Sequence, residues 1–162
     1  MMKRRNKDRW KRGSSAVEFA LALPVFFLLV IGIIEFGWYF FVQHTLQYAT
    51  REGMRLALVG RQLTDPSGNV LSREASIVKT IRDEASLAVD PGALMISIYP
   101  VKEDFSDPTG WQSQQNAGEE GNYMRVRVYY EHVIFTPLIG KFVNNGYFLV
   151  AAEGTYRNEL FK

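Results

Sequence analysis

Cysteine is missing from all 162 residues, and histidine occurs only twice, at His44 and His132. The first absence removes a disulfide framework, a thiolate metal site and a thiol nucleophile together. The second leaves few imidazoles, and neither stands in a pattern with serine and carboxylate that would make a catalytic triad. The turn "GRQLTDPSGN" at Gly60–Asn69 lacks the lysine and the following Ser/Thr of a phosphate-binding loop. Enzymatic activity and cofactor binding are therefore not expected. Charge is also missing where most chains carry it, since Phe19–Ile34 holds no charged or strongly polar side chain.

That apolar run resumes after Glu35 as far as Val42. It amounts to about 24 residues, or roughly 36 Å of helix, enough to cross a hydrocarbon core of about 30 Å with some tilt. The basic residues stand before it. Lys3, Arg4, Arg5, Lys7, Arg9, Lys11 and Arg12 face Asp8 alone, a net of +6, so the whole-chain charge of +2 leaves −4 from Gly13 onward. The alkaline pI describes a tail, and nucleic acid is not an expected partner of the folded part. The same asymmetry puts the N-terminus in the cytoplasm and the bulk of the chain outside, by the positive-inside rule.

Three readings compete for residues 1–42. A secretory signal would have a shorter apolar core and a small-x-small cleavage site, and "EFGWYFFVQ" offers none. An uncleaved signal anchor fits the length and the charge but gives no reason for Glu18, a carboxylate at the front edge of the apolar run. The third reading takes in Gly13, two small residues, Glu18 at the fifth position after the glycine, and Pro24 inside the helix.

This third pattern resembles leader processing in the type IV pilin superfamily. More narrowly, "SSAVEFALALPVFFLLVIGIIEFGWYF", "ATREGMRLA" at Ala49–Ala57, "TPLIGKF" and the closing "TYRNE" resemble the TadE-like pseudopilins of the tight adherence (Tad) pilus. The resemblance is dense over residues 12–60, thinner over 123–159, and absent between about Thr64 and Asn122. It implies a prepilin peptidase cutting on the cytoplasmic side between Gly13 and Ser14, a site where a residue without Cβ suits an extended scissile backbone. It implies further that Glu18 pairs with the amino terminus of an adjacent subunit and sets its register. The implied partners are that peptidase, other pilins or pseudopilins, the pilus inner-membrane platform and membrane lipid. The chain would be a minor subunit of the inner membrane, since the major subunits of the family are much shorter. The alternative from another class is an uncleaved single-span receptor or scaffold with an outer ligand-binding domain.

The residues themselves divide the chain into a basic leader (1–13), a transmembrane helix (14–42), an extension of the same helix (43–60) and an extracytoplasmic α+β domain (61–162). Pro24 is expected to kink the helix without ending it. Glu35 falls about 32 Å along the axis from Ser14. It reads as a carboxylate reaching interfacial water or as a subunit contact, with Trp38 and Tyr39 as the outer aromatic belt and Trp10 at the inner face. Gly32 and Gly37 are five apart and so serve as packing positions at most, not a four-residue glycine motif. In the extension, Leu46, Ala49, Gly53 and Leu56 form an apolar stripe.

A second helix is expected from Ser72 to about Val89, with Ile77, Ile81, Ala85 and Ala88 on one face and "DPG" stopping it. Strands are expected at Ala93–Pro100, Asn122–Val133 and from Gly146, with "IFTPLIGKFVN" as a short helix or tight connection. The result is a pilin-like α+β architecture, one helix on about three antiparallel strands hung from a long N-terminal helix. The segment Val101–Asn122 reads as a mobile surface loop or a partner-contact loop. Its acids Asp104, Asp107, Glu119 and Glu120 lack the regular spacing of a calcium site.

Overall fold

The computed structural model describes residues 5–136, 140–141 and 146–160, with side chains from Ser14 onward. The leader's side chains, Trp10 among them, and most of "IFTPLIGKFVN" lie outside the described residues. The chain divides into two compact units, one ending at Trp38 and the other beginning at Tyr39.

Helix α1 spans Arg5–Leu58 with Pro24 inside it. In the second unit its buried residues are Val42, Leu46, Ala49, Thr50, Gly53 and Ala57, at steps that keep to one face of a helix. The expected stripe is there, with Leu56 half-buried and Ala57 taking the fully covered place. Thr50 is the polar member, and its hydroxyl donates to the Leu46 carbonyl at 2.7 Å, so no polar group is stranded.

Helix α2 (Arg73–Ala85) starts where its cap allows. The Ser72 hydroxyl accepts the Ala75 amide at 3.1 Å, and Glu74 sits in the first turn. It ends about one turn before the expected Val89. There the amides of Ser86 and Ala88 bond three residues back, to Asp83 and Ala85, and tighten the chain into a turn that buries Val89. Asp90 then accepts the Gly92 amide, making Pro91–Ala93 a short 3-10 turn and delaying the strand.

Strands β1 (Met95–Pro100), β2 (Tyr123–Val133) and β3 (Tyr147–Arg157) form one antiparallel sheet in the order β1-β2-β3. Met124, Val126 and Val128 of β2 point inward with Val150 and Ala152 of β3, as the period of two requires. They share a core with Leu46 and Ala49 of α1 and with Ile77 and Ile81 of α2. The helices thus cover one face of the sheet.

Where α1 meets α2 the approach is close at Gly53. A Cβ there would lie 2.5 Å from Ile81 Cγ1 and 2.9 Å from its Cδ1, so hydrogen is all the crossing of α1 and α2 can accept. Gly154 makes a second such place, where a Cβ would meet the Met54 thioether.

Over β1 and the adjoining part of β2 the sheet's other face is overlain by Val101–Asn122, a surface segment held to the sheet by side-chain and backbone contacts. β1 is buried at Ile96, Ser97, Ile98 and Tyr99 in succession, so its expected alternation is lost because both faces are covered. Ile98 exchanges backbone hydrogen bonds with Gln114 and Asn116, which protects the sheet edge. Ser97 Oγ donates to the Gln112 carbonyl at 2.6 Å. The Tyr99 hydroxyl donates to Asp107 at 3.0 Å, and its ring lies 5.4 Å from Trp111.

Asp107 is the centre of this cover, paired with Arg125 and Arg127 from the outward face of β2. Arg127 also pairs with Glu153 and stacks on the Trp111 ring at 4.5 Å. Burial alone raises the Asp107 carboxyl, but the Tyr99 hydroxyl and the two guanidinium groups outweigh it and hold the group below its ordinary 3.8. The loop's far end is tied by Asn158, whose amide donates to the carbonyls of Ala117 (3.0 Å) and Glu119 (2.7 Å).

Two outcomes test this packing. Gly53→Ala should destabilise the sheet unit by about 1–3 kcal/mol through overpacking; in thermal melts its cost should shrink when Ile81→Ala is added, and strict additivity would separate the two sites. Because the folded-state pKa of Asp107 is depressed, its contribution is complete above the ordinary carboxylate value and is lost as pH falls through the folded one. Acidification below the ordinary 3.8 should therefore free the loop, read as quicker protease cleavage within 101–122, and Asp107→Asn should cleave quickly at neutral pH.

Candidate functional site

Among the described residues the first unit is helix alone, and its sequence dictates a surface unlike that of the second. Val17, Phe19, Leu21, Val25 and Leu29 are all at least 60% exposed. None of the helix's most apolar stretch is buried, and among the described residues it is the one helix long and apolar enough to cross a membrane. Water would penalise every such side chain by about 1.5–3 kcal/mol relative to burial, whereas hydrocarbon removes that penalty. The chain reads as a single-pass membrane protein on this basis.

At the front of the run, Ser14 and Glu18 face the same side of α1, four residues apart. The Ser14 hydroxyl donates to Glu18 Oε1 at 3.1 Å, and both residues are exposed. Gly13 and Ser14 lie within the helix, so the expected cleavage point has helical backbone on either side. Pro24 is accommodated inside the same helix.

The remaining expected positions separate. A Cβ at Gly32 or Gly37 would meet nothing within 4 Å, so neither is packed within the chain and both leave the helix surface open. Glu35 is only 5% exposed, a burial its place beside the aromatic belt did not announce. His44 is exposed on α1, whereas His132 is buried at the end of β2 among the rings of Tyr39, Tyr130 and Phe135.

Metal chemistry finds no seat among the described residues, where no group of three His, Asp or Glu is arranged to hold an ion. Two acids of the 101–122 loop are engaged otherwise. Asp104 accepts the Ser106 amide and lies below its ordinary value through the Ser106 hydrogen bonds, and Asp107 holds two arginines.

Sequence reading missed the Asp107 cluster altogether. Its signal was present, since Arg125 and Arg127 alternate with buried residues on β2 and so had to present two cations on one sheet face. An acid-bearing, tryptophan-bearing loop of the same unit was the available cover.

Comparison with known proteins bears on the helix and not on the sheet. The family of TadE-like proteins matches residues 13–55, from the glycine at the expected cleavage point to Arg55 of "REGMR". No curated protein and no solved structure matches the chain. The matched segment covers the exposed apolar helix, the Ser14–Glu18 pair and the buried stripe through Gly53. Over that helix the chain is similar to TadE-like proteins, in agreement with the resemblance read from its sequence.

Proposed function

We propose that the chain is a minor pseudopilin that takes part in assembling a Tad-type pilus. A prepilin peptidase removes residues 1–13, residues 14–42 hold the protein in the inner membrane, and the domain from residue 61 lies on the extracytoplasmic side. The observation that carries this reading is Glu18 at the front of a bare apolar helix, hydrogen-bonded to the hydroxyl of the residue that processing would make the first.

Cleavage changes the electrostatics of that pair. Before it, Ser14 offers Glu18 a neutral hydroxyl 3.1 Å away. After it, Ser14 carries an α-ammonium group, and the helix begins there with its unsatisfied amides pointing to the same end. A carboxylate moving into lipid or into a packed bundle of helices needs such a partner, because an unpaired one is penalised there. The ammonium of a neighbouring subunit supplies it at one axial offset only, and selecting a register is the best-attested use of a buried polar pair. Gly32 and Gly37, with no side chain of their own and nothing packed on them, give neighbouring helices places for close approach.

The peptidase must also find an extended strand at Gly13–Ser14, where the chain has helix. Glycine lowers the helix's hold by about 1 kcal/mol relative to alanine, which makes local opening easier at that position. Seven basic side chains before residue 13 keep the segment on the cytoplasmic face, where the pilus platform would also engage the subunit.

Two measurements test the proposal. Intact mass of the membrane-extracted protein, made together with its peptidase, should show a chain beginning at Ser14. A full-length chain would favour an uncleaved single-span anchor, and a start beyond residue 34 a secretory signal. Glu18→Ala should insert normally into the membrane yet reduce pilus output by an order of magnitude or more, about 1.4 kcal/mol of lost register selection per tenfold; unchanged piliation would remove Glu18 from the assembly contact.

A further inference from the structure

The apolar run of α1 does not stop where the sheet unit starts. Tyr39–Val42 close the stretch read as the span, and they also open the unit that contains the sheet. Val42 is fully buried in the core of that unit. The Tyr39 ring meets His132 at 6.1 Å and Phe148 at 5.7 Å between centroids. These two residues stand opposite each other where β2 finishes and β3 begins. Ring contact therefore fixes this end of the hairpin at the level in the chain where the apolar run ends.

Large apolar side chains are uncovered around that end. Phe40 is 55% exposed, Val133 62%, Phe135 65% and Leu149 54%. Phe40 touches Tyr39, Phe135 touches His132, and Val133 and Leu149 fall on the outward side of the same hairpin end. Elsewhere in the unit Val70 and Leu87 stand alone in the connections, and the exposed pair Phe105 and Tyr123, 5.1 Å apart, lies at the opposite end of β2.

We propose that this hairpin end is a lipid contact, resting in the interfacial layer beside the point where α1 leaves the membrane. The inference rests on the reading of residues 14–42 as the span. Chain continuity is what favours lipid over a protein partner, because residues in ring contact with Tyr39 are carried to the bilayer surface by the helix itself. The chemistry suits that layer, where apolar bodies sink to the acyl boundary and polar tips remain at headgroup level. Glu131, exposed and opposite Leu149, limits the depth to the headgroups. The sheet unit is thereby attached to the bilayer at two places far apart in sequence, and leaving the membrane would require both to detach.

Since the chain has no cysteine, single-cysteine labelling tests this in the full-length protein. Val133→Cys and Leu149→Cys would each carry an environment-sensitive fluorophore, in vesicles of mixed phosphatidylcholine and phosphatidylglycerol. Leu28→Cys serves as the marker of the span and Val70→Cys as the marker of exposed surface. At positions 133 and 149 emission should be shifted to the blue and lost on adding a headgroup-labelled quencher lipid, with position 70 unaffected. No quenching at 133 and 149, while a deep-chain quencher lipid reaches position 28, would overturn the contact and leave the span standing. A blue shift without lipid quenching would assign the patch to a protein neighbour and equally overturn it. Absence of deep quenching at position 28 would remove the span, and this inference with it.

Discussion

The absence of a side chain at Gly53 is the constraint on which the sheet-containing unit depends. Ile81 side-chain atoms occupy the place a Cβ would take, so α2 lies on α1 at a separation that any larger residue would force to shift. The consequence spreads through the core. With α2 that close, Ile77 and Ile81 reach the same apolar volume as Leu46 and Ala49, and β2 and β3 close it from the other side with Val126, Val128, Val150 and Ala152. A larger residue would lift α2 and open the core along its length, since packed interiors do not absorb even one methylene without strain. The glycine belongs to the segment 13–55 that matches TadE-like proteins, so that segment of this chain carries a docking surface for its domain as well as its apolar span.

One helix accordingly serves two solvents, and its composition changes where the solvent does. From Val17 to Leu29 large apolar residues appear on every side, the pattern of a helix with no preferred face. From Val42 to Ala57 they withdraw to one stripe, and Glu52 and Arg55 pair on the exposed surface. The change of pattern within an unbroken helix was legible in the sequence, because periodicity reports how many faces are covered and by what. So were α2, with its Ser72 cap, and the two long strands, whose alternation is a local property. What covers the outer face of the sheet was not legible. Asp107 and Arg125 are 18 residues apart, and their pairing depends on a fold of the intervening chain that no period records. Polarity and turn residues in 101–122 suggested exposure, and many of them are exposed, yet the segment is also pinned to the sheet through Asp107, Gln114 and Asn116. The four buried residues of β1 were the local trace of that cover, visible once the sheet's faces were assigned.

Two carboxylates show how far the chain provides for its own charges. Asp107 is surrounded by partners from its own unit: a phenol and two guanidinium groups, with a stacked tryptophan behind one of them. Its charge is complete within the fold, which is why the loop can lie closed on the sheet. Glu18 has the Ser14 hydroxyl, a neutral donor on an exposed helix. A single hydroxyl brings no opposite charge, whereas Asp107 has two guanidinium groups, so the environment of Glu18 is the less complete of the two. On the proposed reading that incompleteness is the point. A domain needs its internal charges settled when it folds, whereas a subunit that must enter an assembly in one register gains from a charge that is settled only on arrival. The basic leader fits the same ordering. Its seven cations stand ahead of the residue whose ammonium would complete the pair, and while they remain attached the Ser14 nitrogen is an uncharged amide. Processing, in that sequence of events, creates the partner charge only after the helix is already in the membrane, so the contact cannot form before the subunit is in place to use it.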